Sequence, residues 1–286
     1  MGTSGSGVVD RTRVGGMTRR ESSKTQQRLR RALGGMPAVL IVLVILVGWQ
    51  LYAVYSDIGS DVLPSPTRVL EQGWAHRDDL WENLLPTLQA TIVGFGLSLV
   101  TGFLLSVLID TSSILRQAVM PLLVVSQTLP LIAIAPLLVL WFGFALLPKV
   151  LIVVLVTFFP ITISLVEGYS ATNRDSEVLL RSMGAGRWRI FRTLRMPTAL
   201  PFFFSGLRIG VTYAVVAAIF AEYAGAEKGL GVYMQGAKNS FRTDLVLAAV
   251  LVSAVLTLVL FTLTYLIERI AVPWVSLAKK QGKSVD

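Results

Sequence analysis

Charge disappears from this chain over long blocks. No Asp, Glu, Lys or Arg occurs in residues 32–56, 83–109, 117–148, 150–166 or 245–267, stretches of 25, 27, 32, 17 and 23 residues. A sixth apolar stretch, 201–221, is interrupted by Arg208 alone. A hydrocarbon core of about 30 Å is crossed by roughly 20 apolar residues in a helix, and backbone polar groups at that depth must be satisfied within the segment. The pattern predicts an all-α, polytopic membrane protein with six transmembrane helices near 37–56, 87–109, 118–140, 150–167, 201–221 and 245–268. Composition agrees: 15% of the residues are charged, against about 25% for soluble domains.

The formal charge of +9 raises the question of nucleic acid, but the basic residues sit in tails and inter-span loops rather than on one face. Nucleic acid is therefore not an expected partner. With six spans both termini fall on one side. That side collects 19 Lys and Arg residues, including six in the loop 167–199, while the opposite side holds 6. The positive-inside rule makes both termini cytoplasmic. There is no cysteine and one histidine, His76, which excludes disulfides, thiolate catalysis and Cys- or His-cluster metal sites.

Residues 1–35, rich in Gly, Ser, Thr and Arg, are expected to be a disordered basic cytoplasmic tail. The six-helix domain is expected over 36–275, and 276–286 form a polar cytoplasmic tail. Met1-Gly2 with Ser6 formally fits a myristoylation pattern, a chance match in a six-span chain. The first span is too long for a cleaved signal, and no small-x-small site follows it. Outside the membrane, Pro64-Ser65-Pro66 makes a rigid turn with Thr67 as a cap candidate. Residues 68–85 then read as one amphipathic interfacial helix, with Trp74 and Trp81 at headgroup depth.

Within the spans, small residues recur at every fourth position. Ala90, Gly94, Ser98, Gly102 and Ser106 form one stripe, and Gly206, Gly210, Ala214 and Ala218 another. Such stripes let helices approach closely. Pro121, Pro130 and Pro136 kink or break the third span, either to line a substrate path or for packing alone. Arg208 lies inside the cytoplasmic end of span five, able to snorkel or to serve the pathway. Glu222 ends the second stripe, as a pathway carboxylate or as the partner of a helix end or loop amide.

The loop 167–199 is the most specific segment. A short helix over 175–183 carries Val178, Leu179, Leu180 and Met183 and is capped by Asn173 or Asp175. Gly184-Ala185-Gly186 breaks it. A second amphipathic run, 187–194, places Trp188, Ile190, Phe191 and Leu194 among arginines, and Met196-Pro197 is expected to end it. Two short helices at a glycine turn form an apolar knob with a basic rim, suited to a partner's groove or to an anionic lipid surface.

On these residues the sequence resembles the permease family of bacterial ABC importers. The family's cytoplasmic loop reads Glu-Ala-Ala, three residues, Gly, nine residues, then Ile-x-Leu-Pro. Here Gly184 is the glycine, and Leu194-Arg195-Met196-Pro197 follows nine residues later. Val178-Leu179-Leu180 stand at the Glu-Ala-Ala positions, with Glu177 one residue early. Leu63-Pro64-Ser65-Pro66, Trp141-Phe142-Gly143, Ala221-Glu222 and Gly229-Leu230-Gly231 extend the likeness, which is similar to the branch serving nitrate, sulfonates, taurine and the pyrimidine precursor of thiamine.

The resemblance implies a type I ABC importer permease fold in the bacterial inner membrane and no catalytic site. ATP and Mg would sit on two copies of a separate ATPase, a second copy of the chain would complete the pore, and a soluble or lipid-anchored binding protein would deliver substrate. Gly282-Lys283-Ser284 is no P-loop, since Leu277 stands where the upstream glycine belongs. The resemblance assigns ATPase coupling to Glu177, Val178, Leu179, Leu180, Met183, Gly184, Ala185, Gly186, Trp188, Phe191 and Pro197.

Candidate pathway residues are Gln127, Thr128, Pro130, Phe158, Phe159, Arg208, Tyr213 and Glu222. An oxyanion crossing a low-dielectric passage needs positive charge or aimed donors near the midplane. Arg208 is the one basic residue within the spans, and aromatic surfaces are abundant. The expected substrate is thus a small aromatic such as the thiamine pyrimidine precursor, with sulfonate, nitrate or taurine as the alternative. An ATP-independent secondary transporter is the alternative of another class; it would favour paired intramembrane carboxylates or inverted repeats.

Overall fold

The structure, a computed structural model, describes Pro37 and residues 39–274; the expected terminal tails lie outside the described residues. The chain divides into two compact units, Met1–Thr67 and Arg68–Asp286. In the first, helix α1 (Val39–Tyr55) is apolar along its length. Gln50 Nε2 donates to Thr67 Oγ1 at 3.1 Å.

Among the described residues of the second unit every regular element is a helix: α2 (Pro66–Ala75, opening at the unit boundary), α3 (Arg77–Thr111), α4 (Ser113–Thr128), α5 (Leu131–Phe142), α6 (Leu146–Ser170), α7 (Arg174–Ser182), α8 (Arg187–Ile190), a π turn (Phe191–Arg195), α9 (Met196–Ala224), α10 (Leu230–Asn239) and α11 (Thr243–Ala271). Among the described residues, four helices are long and apolar enough to cross a membrane: α3, α6, α8–α9 as one rod, and α11. The pair α4–α5, bent by 93°, is apolar enough only when its two helices are taken together, as a fifth, broken span or a re-entrant loop.

α6 lies between α3 and α9 and packs on both. The two small-residue stripes explain how. A Cβ on Gly94 would come within 2.6 Å of Val153, and one on Gly206 within 2.7 Å of the Pro160 carbonyl. Where no water is displaced between helices, close backbone approach supplies the dispersion contacts that hold them. Ala90, Ile152, Val153, Ala214 and Ala218 form the resulting core.

Three expectations are corrected. Residues 68–85 are not one interfacial helix, because the chain breaks at His76 and α3 continues from Arg77 straight through Pro86. Trp74 and Trp81 are exposed, whereas Val69 and Leu80 are buried against Leu230, Met234 and Ala248 of α10 and α11. Helix α2 opens at Pro66, not after a Thr67 cap, because proline's fixed φ and missing N–H suit the first helical position. Finally, Met196-Pro197 does not end a helix. The rod runs on from Arg187 to Ala224, and the π turn immediately before Pro197 widens the backbone where its ring would meet a preceding carbonyl.

The third span does break at its central proline. α4 ends at Thr128, and Leu129 and Pro130 are both extended before α5 begins, as expected of a residue preceding proline.

Candidate functional site

The loop between α6 and α9 is built by local rules. Asn173 Oδ1 accepts the amides of Asp175 at 2.8 Å and Ser176 at 3.3 Å, capping α7. At the other end Gly184 takes φ +81°. Its N–H donates to the Arg181 carbonyl at 2.9 Å, and the Ala185 N–H donates to the Leu180 carbonyl at 3.0 Å. This is a Schellman closure, which needs a left-handed residue at that position.

The two short helices present an apolar surface. Val178, Leu179, Met183 and Trp188 are 61%, 62%, 75% and 71% exposed; Leu180 is half-buried. Facing the other way, Phe191 stacks on Trp188 with centroids 5.7 Å apart and packs on Tyr169 of α6, while Ile190 is buried. Pro197 is half-buried in the rod.

Glu177 does not share the exposed face. Its Oε1 accepts from Arg181 Nη2 at 2.6 Å and its Oε2 from Arg195 Nη2 at 3.0 Å. Arg195 Nη1 also donates to Asp110 Oδ2, at 2.6 Å. Burial raises the Glu177 carboxyl, but the hydrogen bonds and charges of Arg195 and Arg181 outweigh it and hold the group below the usual carboxylate range. A cavity of about 510 Å³ opens here, with Asp110, Glu177, Arg187, Trp188 and Arg195 in its walls.

A second polar knot lies at the opposite end of α3. Asn83, Thr87 and Glu222 receive the first three amides at the start of α10. The Gly229 N–H donates to Asn83 Oδ1 at 3.1 Å, Leu230 to Thr87 Oγ1 at 2.9 Å and Gly231 to Glu222 Oε2 at 2.8 Å. The Thr87 hydroxyl donates to Glu222 Oε1 at 2.8 Å. Glu222 is 1% exposed, so its carboxylate ties a helix start to α3 and α9. Lys149 is buried and donates to the Lys228 carbonyl.

The other pathway candidates are not assembled into one pocket. Gln127, Thr128 and Pro130 are exposed around the α4–α5 break, and Tyr213 is exposed on α9. Phe158 and Phe159 pack against Ile109, Leu123 and Val166. Phe158 also borders an apolar groove of about 760 Å³ between α3, α5 and α6. Arg208 Nη1 donates to Glu268 Oε2 at 2.8 Å, joining α9 to α11.

Sequence reasoning missed Asp110, Arg195, Asn83, Thr87 and Asp244 as structural polar centres. Asp244, 2% exposed, pairs with Arg68 at 3.2 Å and Arg242 at 3.0 Å, fastening α2 to the start of α11. The available signal was an acid at the boundary of an apolar block, which marks a place where charge must find a partner.

Residues 94–276 match the model of the binding-protein-dependent transport system inner membrane component family. The chain is 38% identical to the formylaminopyrimidine transport permease protein ThiX of Halalkalibacterium halodurans, over 86% of this chain and 98% of the relative. It is 36% identical to the riboflavin transport system permease protein RibX of Chloroflexus aurantiacus, over 84% and 90%. The fold resembles a solved chain of the MetNI methionine ABC transporter in inward-facing conformation, with TM-score 0.56 and 20% identity over 68% of this chain and 95% of that one. The chain therefore belongs to the family of binding-protein-dependent transport system inner membrane components, and is an ABC importer permease.

Proposed function

We propose that this permease forms half of the pore of an ATP-driven importer for a small nitrogen heterocycle of the thiamine pyrimidine-precursor type. The observation carrying the coupling half of this reading is the exposed apolar face of Val178, Leu179, Met183 and Trp188 beside the Gly184 turn. Four large apolar groups on one protruding knob fit a partner's groove, where a few buried anchors carry most of the affinity. The occupant is a separate ATPase subunit, which supplies the ATP and Mg. Two copies of the chain on two ATPases, six spans each with α1 as the first, give a closed two-fold assembly. Both termini and the 167–199 loop face the cytoplasm, and a binding protein delivers substrate from the other side. The chain itself carries no catalytic group.

The substrate class is supported by two lines. ThiX and RibX, both above one-third identity, are named for nitrogen heterocycles. The basic groups nearest the membrane interior are also engaged: Arg208 is paired with Glu268, and Lys149 bonds a backbone carbonyl. A bare oxyanion would need such a charge to compensate for desolvation. The test is uptake by cells carrying the permease with its ATPase and binding protein. Radiolabelled formylaminopyrimidine should accumulate in an ATP-dependent way. Accumulation of an alkanesulfonate, uncompeted by the pyrimidine, would overturn this assignment.

A further inference from the structure

The root of the exposed loop is gathered by a single guanidinium. Arg195 closes the π turn, Glu177 lies on α7, and Asp110 is the next-to-last residue of α3. Arg195 reaches both carboxylates at once, Asp110 at 2.6 Å and Glu177 at 3.0 Å. The three side chains are 27%, 18% and 14% exposed, whereas Val178 and Leu179 on the same helix and Met183 at its end are 61% exposed or more. Exposed ion pairs contribute little, but removing Arg195 from this sheltered group takes from Asp110 the cation it pairs with, while Glu177 keeps the more exposed Arg181 at 2.6 Å. A planar guanidinium offers separate donors along two directions, whereas an ammonium concentrates its charge at one point. Arg195 also ends a π turn, a local bulge of a kind found frequently at functional sites.

We propose that Arg195 is the positioning residue of a rigid joint. By binding Glu177 and Asp110 together it locks α7 to the end of α3 and to the root of α9, so that displacement of the loop reaches both helices as one movement. Glu177 thus acts inside the permease, not as an acidic contact with the ATPase. This inference rests on reading the loop as the ATPase-coupling element.

The chain has no cysteine, so spin labels can be attached after Ser182→Cys on α7 and Leu108→Cys on α3. Their separation is measured in the permease–ATPase complex, labelled protomers being diluted with unlabelled ones, without nucleotide and with ATP trapped. The unsubstituted joint should give one narrow distance distribution, unchanged between the two states. Arg195→Gln should widen it about twofold or more while the ATPase still co-purifies in the normal ratio, with Arg195→Lys in between. Asp110→Asn, which removes one arm only, should also widen it and serves if Arg195→Gln does not fold into the membrane. A distribution as narrow as the parent's in Arg195→Gln or Asp110→Asn overturns the joint, as does loss of the ATPase from either variant, since that would make the group a docking contact. Failure of the parent chain to co-purify with its ATPase would instead sink the coupling reading, whatever the labels report.

Discussion

Two carboxylates with little exposure, Glu222 and Glu177, answer to different partners and predict different behaviour. Glu222 accepts from Gly231 N–H and the Thr87 hydroxyl. In Glu222→Gln an oxygen remains to accept, whereas Glu222→Ala leaves buried donors unsatisfied at about 1–3 kcal/mol each. Glu222→Ala should therefore melt well below Glu222→Gln when the purified permease is followed by thermal denaturation; equal melting would remove the knot from the stabilising contacts. Gly231→Ala is expected to behave like Glu222→Ala, because its Cβ would sit 2.5 Å from the Ile219 carbonyl, an overpacking cost of about 1–3 kcal/mol. Glu177, by contrast, is held ionised by Arg195 and Arg181 against burial, and its pKa is lowered. A carboxylate whose pKa is depressed on folding contributes stability that is present above its unfolded pKa and is lost as pH falls through its folded value. Protection of the α7 amides, taken relative to their intrinsic exchange at each pH, should thus be flat from neutral pH to about 5 and fall below about pH 4, the ordinary glutamate range. Glu177→Gln should abolish that acid-dependent step, and a step that persists in the variant would assign it to another group.

At the scale of elements, α7 depends on both of its ends. It has 9 residues, too few to be stable alone, so the Asn173 cap and the Gly184 closure define its length. Asn173→Ala should cost about 1 kcal/mol of local stability. Gly184→Val puts a β-branched residue at φ +81°, where L side chains are strained by about 1–2 kcal/mol. The permease should still reach the membrane, but substrate-stimulated ATP hydrolysis and uptake should both fall severalfold; normal stimulation in Gly184→Val would remove the turn from the coupling mechanism. Here the sequence was readable, since Asn173, the glycine and the apolar residues between them each dictate local geometry. The rod beyond it was not. Pro197 reads as a stop by propensity, yet the π turn accommodates it, between Ile190 and Ala199, both of them buried. The α4–α5 break at Leu129 and Pro130 was legible for the converse reason: a proline and its predecessor act through local sterics alone.

For the whole molecule, the split of 19 basic residues against 6 predicts which end faces the cytoplasm. Single substitutions Ser182→Cys and Ala75→Cys, treated on intact cells with a membrane-impermeant maleimide, should give labelling at position 75 and none at 182 until the membrane is permeabilised. The reverse pattern would invert the topology. The two polar knots sit apart along α3. Residues 87 and 110 are separated by 23 positions of one helix, roughly 35 Å at 1.5 Å per residue. The knots that use charged side chains sit near the ends of α3, whereas along its middle hydroxyls such as those of Ser98 and Thr157 meet. Between the two knots the small-residue stripe carries the packing.

The sequence by itself determined the solvent. Long charge-free blocks require helices in a membrane, the basic loops predict their orientation, and the fourfold spacing of glycine, alanine and serine marks which faces meet. It also located the exposed knob, because a cap, a glycine and an apolar run are local instructions. What only the tertiary structure decided was the partner of each charge. Nothing near Glu177 in sequence indicates that Arg195 will turn back to it and to Asp110, or that Glu222 will meet the amides of α10 through Thr87 of α3. Charge pairing at the ends of spans is settled by which helices become neighbours, and that follows from packing along their whole length.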